Sequence, residues 1–483
     1  MSIKHGIGII ESPTAISVPI VAESAIPVVL GCAPINLLAD PAAVVNTPVL
    51  ANSPAEAMTK LGYSDDFASF GLCGVMYLTN NVFCTSPVVY INVLDPSKAT
   101  HTKTLTEATI TVVDGEVVYK ESKGVLLSTV VVKDGDDTLA KDTDYTVTFD
   151  DDGYLVVTLI STSTHASAAA LKISGKAINP AGVTPNDVIG SVNAVTGAES
   201  GMEVIRQVYP KLGIVPGQLL APNYSEDANV AIALSAKAQS INGCFKAMAL
   251  VDLSTVAAKT YTDVKTAKEA SGLSSSFCEV LWPRLKVGAY MFPYSSVMAA
   301  LTEYTDANNN NVPYKSPSNE MMGVTGACLA DGTEVYLDQD QANTVNSFGV
   351  VTALNINGWR SWGNYTAAYP SSTDAKDIWI AVRRMFNWQG NTFILSYFDK
   401  VDDPMNRRLI DTIVDTENIR CAAYAPEYWA GAYIEYLADD NPITEILSGN
   451  VTFRQHIAPY TPAQYITNII DYDLNTLQAA LQG

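Results

Sequence analysis

Hydrophobic positions follow two periods along this chain, and the change of period divides it. Ala25-Ile26-Pro27-Val28-Val29-Leu30-Gly31 is a continuous apolar run stopped by glycine, and Pro87-Val88-Val89-Tyr90-Ile91-Asn92-Val93-Leu94 is another. Short apolar runs without polar alternation predict strands buried on both faces. Between them Ser53-Pro54-Ala55-Glu56 opens a helix, with serine as the cap and proline in the first turn. Alternation of helix and strand resumes near residue 190. Helical spacing covers 226–241, 261–270 and 295–304; apolar runs at 245–251, 277–282 and 350–354 predict strands. This order predicts βαβ winding with a mostly parallel sheet.

Residues 98–180 break the pattern. They are rich in Thr, Val, Asp and Gly and predict only short strands, at 108–113, 117–119, 126–132, 145–149 and 154–160. Asp114-Gly115, Asp134-Gly135 and Asp152-Gly153 punctuate them as hairpin turns. The region reads as a small antiparallel sandwich inserted into an α/β protein.

The last hundred residues change again. A helix over 377–388 carries Ile378, Val382, Met385 and Phe386 on one face. A second opens at Asp403-Pro404 with Leu409, Ile410 and Ile413 inward. Val451, Phe453, Gln455 and Ile457 alternate as a strand, 464–472 is extended after Pro459 and Pro462, and 474–481 closes as a short helix. Residues 1–24, interrupted by Pro13 and Pro19, read as an arm without a core of its own. The predicted fold is therefore α/β plus an all-β insert. It comprises an N-terminal arm (1–24), a mixed α/β core (25–97 and 190–370), an inserted β-sandwich (98–189) and an α+β C-terminal unit (371–483) ending in an arm strand.

Composition narrows the function. The 483 residues carry 29 basic and 50 acidic side chains, a formal net charge of −21. That sign opposes direct binding to nucleic acid or to anionic membranes. Charged residues are only 16% of the chain, which suits both a subunit packed against its copies and a large monomer with a big core. Neither a secretory signal nor an apolar run long enough to span a membrane is visible, so folding in a cytoplasm is expected. The seven scattered cysteines form no C-x-x-C pair and read as small buried hydrophobes.

A catalytic constellation is missing from the sequence. The four histidines, His5, His101, His165 and His456, are far apart, and none stands four residues from another. Gly6 and Gly8 lack the third glycine of a dinucleotide loop. Asp134-Gly135-Asp136-Asp137 and Asp150-Asp151-Asp152-Gly153 do not complete a calcium-loop spacing and read better as turns. No cofactor is expected. Two basic doublets, Arg383-Arg384 and Arg407-Arg408, stand out in the acidic chain, either as solvated helix faces or as docking charges for an acidic partner.

Several segments, in order, resemble contractile tail sheath proteins of phages and phage-like injection systems. They are Glu23 to Gly31, Ala221-Pro222-Asn223-Tyr224 before a helix and strand, and Trp282-Pro283-Arg284-Leu285 followed by Pro293. Further along come Tyr314 to Glu320 with Gly323-Val324-Thr325-Gly326, and Leu354 to Thr366 with its Trp359-Arg360-Ser361-Trp362-Gly363 centre. Gly449 to Tyr472 is similar to the family's paired strands around a proline-containing link, here 458–463. The resemblance covers 23–95 and 190–483; the insert does not match in detail, and the end beyond Asp473 is longer.

The resemblance implies a structural subunit, not an enzyme, that stacks in hexameric rings as a helical sleeve around an inner tail tube. Baseplate and tail terminator proteins would be further partners. Assembly would take place in a bacterial cytoplasm, and the product would be a virion tail or an extracellular particle released by lysis. Arms would donate strands to neighbouring sheets, with Ala15, Ile16, Ser17, Val18, Ile20 and Val21 at one end and Tyr465, Ile466, Thr467, Ile469 and Ile470 at the other. Arg383, Arg384, Arg407 and Arg408 are the candidate tube-facing charges, and the insert is expected to face outward. A capsid or surface-layer protein, or an α/β enzyme with a β accessory domain, remains the alternative.

Overall fold

The computed structural model describes residues 23–482. The N-terminal candidates Ala15, Ile16, Ser17, Val18, Ile20 and Val21 lie outside the described residues, as does His5.

The apolar runs become the centre of an eight-stranded sheet. Its order is Pro48–Ala51, Val88–Asn92, Pro27–Gly31, Gln218–Leu220, Met248–Asp252, Cys278–Leu281, Val350–Asn355 and Trp359–Trp362. The six inner strands are parallel, and the two outer strands pair antiparallel. Every residue of the five strands from Val88–Asn92 to Cys278–Leu281 is buried. This is why those segments lack polar alternation: helices cover both faces of a parallel sheet. Gly71–Asn81 and Tyr294–Ala307 pack on each other and on the sheet. Ser53 caps the Pro54–Leu61 helix by accepting the Glu56 N–H at 3.2 Å, as its position before a proline predicts.

In the insert, Glu116–Tyr119, Leu155–Leu159 and Tyr145–Phe149 form one sheet. Ala108–Thr111, Ala170–Ser174, Val131–Asp134 and Asp137–Thr138 form the other. Val117, Tyr119, Val132, Leu155, Val157, Leu171 and Ile173 meet in one cluster. Asp114 and Gly115 have φ of 52° and 80°, the left-handed pair that a tight hairpin needs. Two expectations shift here. The stretch 126–132 is strand only from Val131, because Leu127–Thr129 forms a 3-10 turn. Ala170–Ser174 is a strand that its short Ala- and Ser-rich surroundings hide. The hydrophobic cluster of this region runs from Leu105 to Ala177, whereas Ile178, Val183 and Val188 pack into the main core.

A third cluster joins Val312, Met385, Trp388, Cys421, Tyr428 and Trp429 near the C-terminus. The long helices there lie where two were predicted, with shifted bounds: Ile380–Tyr397 runs about two turns further than expected, and Arg407–Ala423 opens at its Asn406 cap and not at Asp403-Pro404. Truncating Leu30, fully buried in a central strand, is expected to lower stability by about 2–5 kcal/mol. A melting midpoint unchanged in Leu30→Ala would contradict this placement.

Candidate functional site

Near the C-terminus two strands, Trp429–Glu435 and Arg454–Pro459, pair antiparallel with Ile434 opposite Gln455 and Tyr433 opposite His456. The sequence pattern predicted a strand at 451–457 but missed its partner, whose Ala430-Gly431-Ala432 centre carries little hydrophobic signal and includes a bulge. The expected pairing across the 458–463 link is corrected: Arg454–Pro459 pairs with Trp429–Glu435, and 464–472 lies in no strand. A two-stranded sheet is marginal alone. Here the Arg407–Ala423 helix supports it from below, and Trp429, Ala432 and Ile457 join the third cluster. On the outer face Tyr433 stacks on His456 at 4.5 Å, and His456 Nε2 lies 3.2 Å from Glu435.

Beneath the sheet sits a buried carboxylate. Glu417 accepts hydrogen bonds from Gln389 Nε2 at 2.6 Å, Gln455 Nε2 at 2.8 Å, Tyr397 OH at 3.2 Å and Arg420 Nε at 3.1 Å. Burial alone would raise its pKa, but Arg420 and the two amides outweigh burial and hold it below the usual carboxylate range. The polar network thus ties two helices and one strand together inside a small apolar core.

Beyond the sheet 460–473 lies in no helix or strand, and the helix Leu474–Gln482 follows it. Tyr465, Ile466, Ile469 and Ile470 are 84%, 84%, 81% and 85% exposed, and Thr467 is also exposed. Tyr460 OH donates to the Pro426 carbonyl at 2.9 Å, and Gln464 Nε2 donates to Tyr365 OH at 3.2 Å. Large apolar side chains arrayed along such a segment are the mark of a surface that another chain covers.

The arginine doublets separate. Arg407 and Arg408 are exposed at the start of their helix. Arg383 and Arg384, expected to face a partner, are corrected: they are only 8% and 3% exposed. Arg384 forms a two-pronged ion pair with Asp306, and Arg383 stacks over Phe277 at 4.8 Å and pairs with Asp377 at 3.5 Å. A doublet on a helix cannot reveal from sequence that its carboxylate partners stand 78 and 6 residues away. The histidines are also dispersed: His101 is buried beside Asp187, His165 bonds Asp134, and His456 bonds Glu435.

The Asp306–Arg384 pair also holds the first described residues, because Ser24 Oγ donates to Asp306 Oδ2 at 2.5 Å. Two further buried carboxyls stand nearby, Glu279 and Glu303. Burial pushes Glu303 up to about 8, with Glu23 and Asp306 adding to the rise. Burial pushes Glu279 up to about 7, although Arg384 pulls it back. Neither oxygen of Glu303 has a hydrogen-bond partner among the described residues. A carboxyl raised in the folded chain favours folding at low pH and loses that contribution as pH rises through its folded value. The melting midpoint is therefore expected to fall between pH 5 and 9, and Glu303→Gln is expected to flatten the fall. A pH profile identical in the two chains would refute the assignment.

No protein-family model matches the chain. The tail sheath protein of Burkholderia phage BcepMu is 28% identical over 429 residues, covering 86% of this chain and 85% of that protein. A major tail sheath protein of a Pseudomonas aeruginosa prophage, named as putative, is 26% identical over 63% of this chain and 80% of its own length. Among solved structures, the contracted helical sheath of the anti-feeding prophage aligns over 97% of this chain and 99% of its own, with a TM-score of 0.57 and 14% identity. The contracted sheath of the extracellular contractile injection system PVC aligns over 99% and 100%, with a TM-score of 0.57 and 12% identity. Over most of its length the chain is thus similar in sequence to tail sheath proteins and in fold to contracted sheaths, and it carries a mixed α/β fold of several sheets with an uncovered apolar tail beside a two-stranded sheet.

Proposed function

We propose that this structural sheath subunit polymerises by strand exchange into a helical sleeve around an inner tube and contracts to drive that tube through a target cell envelope. The observation that carries this reading is the juxtaposition of a short open sheet with an extended apolar segment, 460–473, that its own subunit does not cover. An extended segment has backbone N–H and C=O groups to satisfy, and an open sheet edge offers them. Tyr465, Ile466, Thr467, Ile469 and Ile470 are the C-terminal donors, and the segment from Ala15 to Val21 is the N-terminal one. A donor that reaches a neighbour instead of its own sheet makes a head-to-tail contact, and repetition without closure makes a helix.

Stacked hexameric rings, an inner tube, a baseplate and a tail terminator complete the assembly, formed in a bacterial cytoplasm and acting in a virion tail or an extracellular particle. The 98–189 insert faces outward, since an insertion toward the tube would clash with it. Arg407 and Arg408 are the remaining tube-facing charges. Contraction needs no bond chemistry: rigid subunits rotate between two packings while exchanged strands keep them linked. A few kcal/mol per subunit, on the order of a single buried contact, accumulates over many copies.

Removing 464–483, or separately 1–22, is expected to leave the melting curve of the subunit nearly unchanged and to abolish sleeves in negative-stain electron microscopy. Sleeves of normal width from either truncation would reject strand exchange. Charge reversal at Arg407 and Arg408 is expected to weaken assembly on tubes and spare sheath-only polymers; equal assembly on tubes would remove these two residues from the contact.

A further inference from the structure

A sheet of two strands must receive every incoming strand in one alignment if the sleeve is to be regular. Displacing one strand by two residues would move its edge by about 7 Å. Sheets with little hydrophobic contrast slip readily, and the Ala430-Gly431-Ala432 strand has little. The structure ties this sheet to the helix beneath it at one cross-strand pair, Ile434 opposite Gln455, while Asn441 bonds the Leu437 and Thr452 carbonyls just past the strand ends. The Asn418 side-chain amide donates to the Ile434 carbonyl at 3.0 Å, and its oxygen accepts the Ile434 N–H at 2.8 Å. One asparagine thus takes both backbone groups of one residue, as a neighbouring strand would. Its chain neighbour Glu417, fully buried, accepts from Gln455 Nε2 at 2.8 Å. Adjacent residues of one helix therefore hold the two members of one pair, one by its backbone and the other by its side chain.

We propose that Glu417 and Asn418 form a register lock for the acceptor sheet, so that a strand from a second copy of this chain is always received in the same alignment. The proposal rests on the strand-exchange reading above. The pleat and the lock divide the work. A slip of one residue turns Gln455 and Ile457 outward and puts Arg454 or His456 inside, which the alternation of faces already opposes. A slip of two residues keeps the faces and escapes that penalty. It brings Phe453 or Ile457 over Glu417, and neither side chain can donate a hydrogen bond, so a buried carboxylate loses a donor. Asn418 prevents the other strand from sliding instead, and Trp429 secures its far end by donating from Nε1 to the Cys421 carbonyl at 3.0 Å. A buried polar contact that selects one alignment is a documented use of such groups.

The test reads register in the isolated subunit, so it does not depend on assembly. Exposed Cys84 and Cys244 are first replaced by serine. Cysteines are then placed at 433 and 456, which face each other in the observed register, or at 433 and 458, which would face each other after a two-residue slip. In the native background the first pair is expected to oxidise readily and the second hardly at all. Gln455→Leu combined with Asn418→Ala is expected to raise cross-linking of the second pair about tenfold, the effect of losing one charge-assisted hydrogen bond. If the double variant does not fold, Gln455→Leu alone, which keeps the buried volume, carries the comparison. A slipped pair that stays as rare as in the native background overturns the lock. Sleeves examined in parallel separate the two readings: native subunits that never polymerise count against strand exchange, while the cross-linking ratio still decides the lock.

Discussion

Unpaired strand edges govern how this protein is built. Every outer strand presents N–H and C=O groups that need partners, and an open edge invites another chain. The large sheet closes both of its edges. At one side Asn319 and Glu320 pair with Ser361, and Met322 bonds Trp359, so the Trp359–Trp362 strand is covered. At the other, the four-residue strand begins at Pro48, and Lys60 Nζ takes the Leu50 carbonyl at 2.8 Å. The C-terminal sheet differs. It has two strands, and Asn418 clasps both outward backbone groups of Ile434.

That region is secured by polar contacts more than by hydrophobic bulk. Its core is a handful of aromatic residues around Trp388 and Trp429. Glu417, Arg420, Gln389 and Gln455 supply directional constraints that apolar packing lacks. Buried ion pairs contribute little net stability compared with apolar replacements. Their use here is geometric: they fix which helix turn lies under which strand residue. The Asp306–Arg384 pair plays a similar part elsewhere, joining a core helix, a C-terminal helix and Ser24.

Rigid-body contraction is consistent with this arrangement. The parallel sheet and its helices form a body with a continuous core, and the exposed segment 460–473 lies outside it. If that segment links subunits as proposed, a change in packing between them would bend the link without disturbing the core.

The amino-acid sequence by itself determined the parallel sheet and the insert. The run Val28-Val29-Leu30 has no polar face to show, and only a strand covered on both sides accommodates it. Asp-Gly pairs at short spacing dictate hairpins because few other residues adopt left-handed backbone there. The exposed terminal segment was legible too, since Tyr465, Ile466, Ile469 and Ile470 sit among polar residues after two prolines, with no partner run nearby. Tertiary structure alone decided the rest. Whether Arg384 faces solvent depends on Asp306, 78 residues away, and the helix that carries both arginines gives no local sign of it. The Trp429–Glu435 strand is made by its partner and by the helix beneath it, because Ala430, Gly431 and Ala432 have little β preference of their own. The clasp of Glu417 and Asn418 on Gln455 and Ile434 likewise exists only when helix and sheet meet. Local propensity is written in neighbouring residues, whereas the pairing of distant charges and backbone groups is set by packing.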